Sequence, residues 1–343
     1  MRQKLERFAL IHVLSRLPDR ALVRIAGGKP VVFEGRTLNP LFQAMMYFNR
    51  TPKMERLPPA AARRVLARLV QVTQADELPM AAVHEERVPV QGGSIRVRCL
   101  TPPGLGARSP GIVWLHGGGH VIGDIDDSDR TVRYVATRTG CRLVNVEYRC
   151  APEHKFPTPA EDCIAAYRWV LDNAERLGLE PSRLAVMGDS AGGNLAAVVS
   201  LAARDRGFAL PAVQCLIYPV VDLRQLSKSL TTFGTGFGLT KPLIEWFARH
   251  YIRTDADRSD PLASPLLAES HAGLPPAIVT VAGFDPLHDE GVEYAEKLKE
   301  AGVPVTLVRH DDLTHAWVTM TVTPPGRAAM DETCALVRRA LSS

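Results

Sequence analysis

A chain of 343 residues allows one large domain or one domain with a lid, and 46% hydrophobic with 23% charged residues is an ordinary globular composition. The net charge of +4 is too small to argue for a nucleic-acid partner, and no apolar run approaches the ~18 residues a membrane span needs. Charge is uneven, with 14 Lys+Arg against 6 Asp+Glu in residues 1–80, a net of +8 that leaves −4 to the remainder.

At the start, Glu6 and His12 interrupt the apolar residues and no small-residue cleavage site follows, so the stretch does not read as a secretory signal. Leu5, Phe8, and Leu10 or Ile11 are instead spaced for one side of an amphipathic helix. This basic segment reads as solvated, with peripheral contact to an anionic membrane surface as the alternative. The six cysteines (Cys99, Cys141, Cys150, Cys163, Cys215, Cys334) form no CxxC pair and read as reduced, buried thiols of a cytoplasmic protein.

Residues 1–80 read as mainly helical, without strands, and broken by Pro and Gly at Pro18, 27–30 and 58–59. A helix is predicted over 60–72. From residue 83 the texture changes, with alternating runs at 83–90 and 94–100 around Gln91-Gly92-Gly93, a hairpin signal. Strands are then predicted at 111–115, 142–147, 184–187, 213–218, 277–282 and 303–308. Helices are predicted at 127–139, 160–177, after Ser190, 291–301 and 326–341. Alternating βα units imply an α/β fold with a mostly parallel central sheet and helices on both faces. Between 221 and 276 the alternation fails, leaving an insertion with a glycine-rich turn and a helix near 241–251. The organisation read from this is a helical cap segment at 1–80 and a catalytic domain at 81–343, with the 221–276 insertion contributing to the cap.

The chemistry centres on Gly188-Asp189-Ser190-Ala191-Gly192, a Gly-x-Ser-x-Gly between a strand and a helix. A tight strand-to-helix turn exposes a serine hydroxyl, the flanking glycines allow close approach, and the helix points backbone N–H groups at the site. A serine hydroxyl needs a base and a group that orients the base. In this topology they follow in the order acid, then His, on loops after later strands. Asp285 and His315 fit, with Asp289, Glu290, His288 and His310 as rivals. His116-Gly117-Gly118-Gly119 follows the 111–115 strand and can turn N–H groups towards an oxyanion, together with that of Ala191. His116 reads as a brace for this loop. Glycines between His116 and His120 disfavour a metal-binding helix. The aspartates at 124, 126, 127 and 129 read as a helix start and not a Ca²⁺ loop.

Together these segments resemble the hormone-sensitive-lipase-like branch of the α/β-hydrolases. The matching pieces are HGGGHVIGD at 116–124, EYRCAPEHKFP at 147–157, GDSAGGNLA at 188–196, Tyr218-Pro219, the 285–291 segment and the His315 loop. They span roughly residues 80–343. The resemblance implies an α/β-hydrolase fold with a helical cap, Ser190 as nucleophile, Asp285 as acid, His315 as base, and an oxyanion hole from Gly118, Gly119 and Ala191. The chain departs from the family pattern at His120, where an aromatic residue is usual, and at Ala316-Trp317, where Gly and Phe are usual. Both departures bear on the shape of the acyl or alcohol pocket. Arg149, Glu153 and His154 are expected to brace the site.

The expected function is a serine carboxylesterase for short- to medium-chain esters, needing no cofactor and no metal. The alternatives are an amidase or formamidase on the same machinery, or a non-catalytic ligand receptor of the same fold. The expected partner is a small-molecule ester, with a homodimer through the final strand's edge.

Overall fold

The computed structural model describes residues 11, 13–49 and 51–342. The helix expected over 1–17 falls for the most part outside these residues. The chain continues through α1 (Asp19–Ile25), a short hairpin of β1 (Val32–Phe33) and β2 (Arg36–Thr37), α2 (Pro40–Tyr47) and α3 (Pro59–Thr73). The hairpin departs from the strandless reading of this segment. It turns on Glu34 and Gly35, whose φ angles of 46° and 80° suit a tight two-residue loop.

Next come β3 (Ala82–Val90), β4 (Gly93–Thr101), β5 (Ser109–Leu115), α4 (Asp129–Thr139), β6 (Arg142–Glu147) and α5 (Thr158–Asp172). The chain then runs through β7 (Leu179–Asp189), α6 (Ala191–Asp205), β8 (Val213–Ile217), α7 (Lys228–Thr232) and α8 (Lys241–Tyr251). It ends with β9 (Ala277–Phe284), α9 (His288–Glu300), β10 (Val305–Thr314) and α10 (Pro324–Ala340). The main sheet has eight strands in the order β10-β9-β8-β7-β5-β6-β4-β3. Strands β5 to β10 are parallel, and the β3–β4 hairpin joins antiparallel through β4 and β6.

The strands read as continuous apolar runs because both faces are covered. Along β7, Leu184 and Val186 face a core shared with α5, α6 and α9, while Ala185 and Met187 face one shared with α4 and α10. A third apolar cluster joins Ala62 and Leu66 of α3 to Leu243, Trp246 and Tyr251 of α8, and includes Val121 and Ile122 just after the His116 loop. The N-terminal segment and the insertion therefore pack together beside that loop.

Parallel strands put their following loops on one edge. Ser190 follows β7, Asp285 follows β9, His315 follows β10 and His116 follows β5. Strand β10 runs further than the 303–308 expected, because its pairing with β9 breaks between His310 and Thr314 and then resumes. His315 thus leaves directly from a strand end.

On the other side of β6, Asp162 is buried at 1% exposure and accepts hydrogen bonds from Arg149 N (3.0 Å), Nε (2.8 Å) and Nη2 (2.7 Å). Removing one partner of such a pair leaves an uncompensated buried charge. Arg149→Met is expected to lower unfolding stability by about 3–5 kcal/mol, read as a reduced urea midpoint at unchanged slope. A shift of a few tenths would mean that Asp162 finds other donors.

Candidate active site

The turn after β7 places Ser190 at φ 56°, ψ −116°. A residue with a Cβ held in such a region costs about 1–3 kcal/mol and persists only where its surroundings enforce it. Here Ser190 N donates to Ile217 O (2.8 Å), and Ser190 O accepts from Asn194 N (3.0 Å) and Val220 N (3.2 Å). A Cβ on Gly192 would collide with the Leu115 carbonyl, and one on Gly188 would lie 2.5 Å from that same oxygen. The two motif glycines are therefore required by the approach of β5 to the start of α6.

His315 Nε2 lies 3.0 Å from Ser190 Oγ, and His315 Nδ1 lies 2.7 Å from Asp285 Oδ2. Asp285 is wholly buried, and its Oδ1 accepts from Leu287 N at 2.9 Å. With Nδ1–H donating to Asp285, Nε2 is left to accept the serine proton. The three residues that the sequence picks out thus form a hydrogen-bonded line through His315.

The rivals are occupied elsewhere. His288 Nδ1 donates to Ala282 O at 2.8 Å. His310 packs edge-on to Trp317 at 4.8 Å, and burial lowers its pKa. Asp289 Oδ2 accepts from Ser229 N (2.7 Å). Glu290 Oε1 accepts from Val221 N (2.8 Å), and burial pushes this carboxyl up to about 8. His116 braces its loop, donating from Nδ1 to Gly117 O (2.8 Å) and stacking on Tyr148 at 4.3 Å.

In that loop Gly118 and Gly119 take φ of 117° and 60°. A Cβ would strike the Ile122 carbonyl at the first and the Phe247 ring of α8 at the second. Neither glycine's N–H has a hydrogen-bond partner among the described residues. Ala191 begins α6, so its N–H has no intrahelical acceptor either. These donors sit on the two segments that meet at Ser190.

Three residues with no assigned part in the sequence reading connect these segments. Asp189 Oδ1 accepts from Gly117 N at 2.9 Å, tying the serine turn to the glycine loop, and burial pushes its carboxyl up to about 6. Asn194 receives His120 Nε2 at 3.3 Å and donates to Val220 O and Ala263 O, both at 2.9 Å. His120 stacks on Tyr251 of α8 at 4.0 Å, and burial pulls its pKa down to about 3, so it is neutral. Phe247 is the third, lying against Gly119. Leu115 pairs with Gly188 in parallel register, which brings Gly117, two residues on, beside Asp189, one residue on. That register leaves no trace in the sequence periodicity. Trp317, at the second departure, is wholly buried against Tyr218, whose ring lies 4.5 Å from that of His315.

Residues 112–319 match the family described as having the α/β hydrolase fold. The chain belongs to the α/β-hydrolase family. Within it, this α/β-hydrolase falls in the hormone-sensitive-lipase-like branch of carboxylesterases. It is 39% identical over 332 residues to the carboxylic ester hydrolase LipN of Mycobacterium tuberculosis, covering 93% of this chain and 87% of that one. It is 40% identical over 233 residues to an ethyl acetate hydrolase of Pseudomonas putida, covering 67% of this chain and 73% of that one. Among solved structures, it is similar to the ester hydrolase EH1AB1 from the Lake Arreo metagenome, complexed with a bipyridine phosphonate derivative. That match has a TM-score of 0.84 and 38% identity, and covers 95% of this chain and 99% of that one. It is also similar to the thermostable carboxylesterase EstE1 from a metagenomic library, with a TM-score of 0.79 and 42% identity, covering 83% and 98%.

Two expectations follow for this α/β-hydrolase. Asp189→Ala should lower kcat for ester hydrolysis by about 10- to 100-fold with little change in KM, and Asp189→Asn, which keeps the acceptor oxygen, should recover most of it. Glu290 has a raised pKa in the fold, so the folded state binds the extra proton. Stability contributed by this group is full below the unfolded carboxylate range and is lost as pH rises towards about 8. Glu290→Gln should flatten the decline in urea midpoint across that window; an unchanged decline would exclude Glu290 as its source.

Proposed function

We propose that the chain is a serine carboxylesterase acting on small esters of short to medium acyl length. The observation that carries this reading is the hydrogen-bonded line Ser190–His315–Asp285 beside a glycine loop with unspent N–H groups. His315 takes the Ser190 proton as Oγ attacks the ester carbonyl. The N–H groups of Gly118, Gly119 and Ala191 receive the oxyanion. The alcohol leaves with the proton from His315, and the acyl group stays on Ser190. Water then attacks the acyl-enzyme, giving its proton to His315, and the acid departs as Ser190 recovers a proton. Asp285 stabilises the imidazolium throughout.

The 1–80 segment and the 221–276 insertion act as a cap, a division supported by the apolar cluster they share. Phe247, pressed on Gly119, limits the room for the acyl chain. No helix among the described residues is long and apolar enough to cross a membrane. The unpaired thiols, buried except for half-buried Cys150, suit a reducing compartment such as the cytoplasm. The outer edge of β10 offers a homodimer contact.

The test is hydrolysis of p-nitrophenyl esters across acyl lengths by the native protein and Ser190→Ala. Loss of roughly 10⁴-fold or more on the serine change is expected. Equal turnover by both proteins would reject Ser190. Turnover of anilides or formamides without esters would move the reading to an amidase. Phe247→Ala should shift the preferred acyl length upward, and an unchanged profile would place the acyl chain elsewhere.

A further inference from the structure

The β3–β4 hairpin carries a second group of chemistry-bearing side chains, outside the reaction described above. His84 and Glu86 alternate along β3 and so share a face. Cys99 lies directly opposite His84 in the antiparallel register, on the same side of the hairpin. The ligand atoms of these three residues all lie within 4.8 Å of one another, and His84 Nε2 is 3.3 Å from Glu86 Oε1. A tetrahedral Zn²⁺ site with bonds of about 2.0–2.3 Å separates its ligand atoms by roughly 3.3–3.8 Å. The donors are thus spread by up to about 1 Å more than a bound cation would hold them. His84 is half exposed and paired with Glu86, while Cys99 is buried.

We propose that His84, Glu86 and Cys99 form a binding site for a thiophilic divalent cation of the Zn²⁺ class. The donor set is one imidazole nitrogen, one carboxylate oxygen and one sulfur. Such a set suits Zn²⁺, Co²⁺ or Cd²⁺ and does not suit Mg²⁺ or Ca²⁺, which take oxygen ligands. On binding, the Cys99 S–H bond breaks, the S–metal bond forms, and the proton passes to solvent. The exposed side of His84 leaves a fourth position for water.

At present Glu86 is held by Arg176, whose Nη1 and Nη2 donate to Oε1 and Oε2 at 2.7 and 2.8 Å. Arg176 is 53% exposed, also reaches Asn173 and lies over the Trp169 ring at 5.6 Å, so a cation has to compete with a two-bond pair for Glu86. The guanidinium occupies the charge position that a cation would take, and it must swing outward for the cation to enter. Strand β3 is the sheet edge, four places from β7 in the strand order. The cation would therefore clamp the hairpin and leave ester hydrolysis alone.

The test is Co²⁺ titration of the metal-free full chain, followed by absorption. One equivalent should produce a thiolate-to-cobalt charge-transfer band with tetrahedral visible bands. Cys99→Ser should abolish the charge-transfer band. His84→Ala, at an exposed position, should weaken binding by at least about tenfold, since even an outer-shell loss costs about 10- to 100-fold. Arg176→Ala should tighten binding, because it removes the competing cation. Zn²⁺ should raise the Tm of the native protein and not that of His84→Ala, with ester turnover unchanged. No band at millimolar Co²⁺, a band that persists in Cys99→Ser, or weaker binding by Arg176→Ala would each overturn the site.

Discussion

The rest of the site depends on one constraint, the close approach of the β5 end to the turn that follows β7. The Leu115 carbonyl lies where a side chain on Gly188 or Gly192 would have to go. That contact lets the backbone at Ser190 stay at φ 56°. It also fixes the glycine loop, which begins at the next residue of β5's chain, against the serine turn. Ser190 and the unpartnered N–H groups of Gly118 and Gly119 come from two different segments here, and their relative position follows from the pairing of two adjacent parallel strands.

Polar side chains then tie further segments to this junction. Asp189 links the serine turn to Gly117, and Asn194 links α6 to His120 and to the carbonyls of Val220 and Ala263. Arg63 of α3 donates to Val121 O at 2.9 Å and Ala151 O at 2.8 Å, and pairs with both oxygens of Glu153. Glu153 thus ties its segment to the N-terminal helix, whereas Arg149 of the same segment is spent on Asp162. The helix α8 adds the His120–Tyr251 stack and the Phe247 contact on Gly119. The N-terminal segment and the insertion are accordingly bonded to the segment that carries Gly118 and Gly119.

Ser190, Asp285 and His315 were legible because each sits just past a strand whose apolar run is plain in the sequence. Chain order then leaves little choice. Asp189 was less legible, because its role depends on the register between β5 and β7, which periodicity does not reveal. Phe247 was hidden for a different reason. It lies in an insertion that obeys no βα rhythm, and only its packing against Gly119 identifies it. The β1–β2 hairpin was missed since two-residue strands carry no period. The His84, Glu86 and Cys99 grouping combines a readable feature, the hairpin about Gln91-Gly92-Gly93, with a register that had to be seen.

Whether the strained turn at Ser190 presents an activated nucleophile is tested most directly by treating the protein with a p-nitrophenyl phosphonate and mapping the adduct by peptide mass. The account predicts one equivalent of p-nitrophenol released and one adduct per chain, on Ser190, with labelling greatly slowed in His315→Ala. An adduct on another residue, or continued ester turnover by a protein that takes no label, would contradict it.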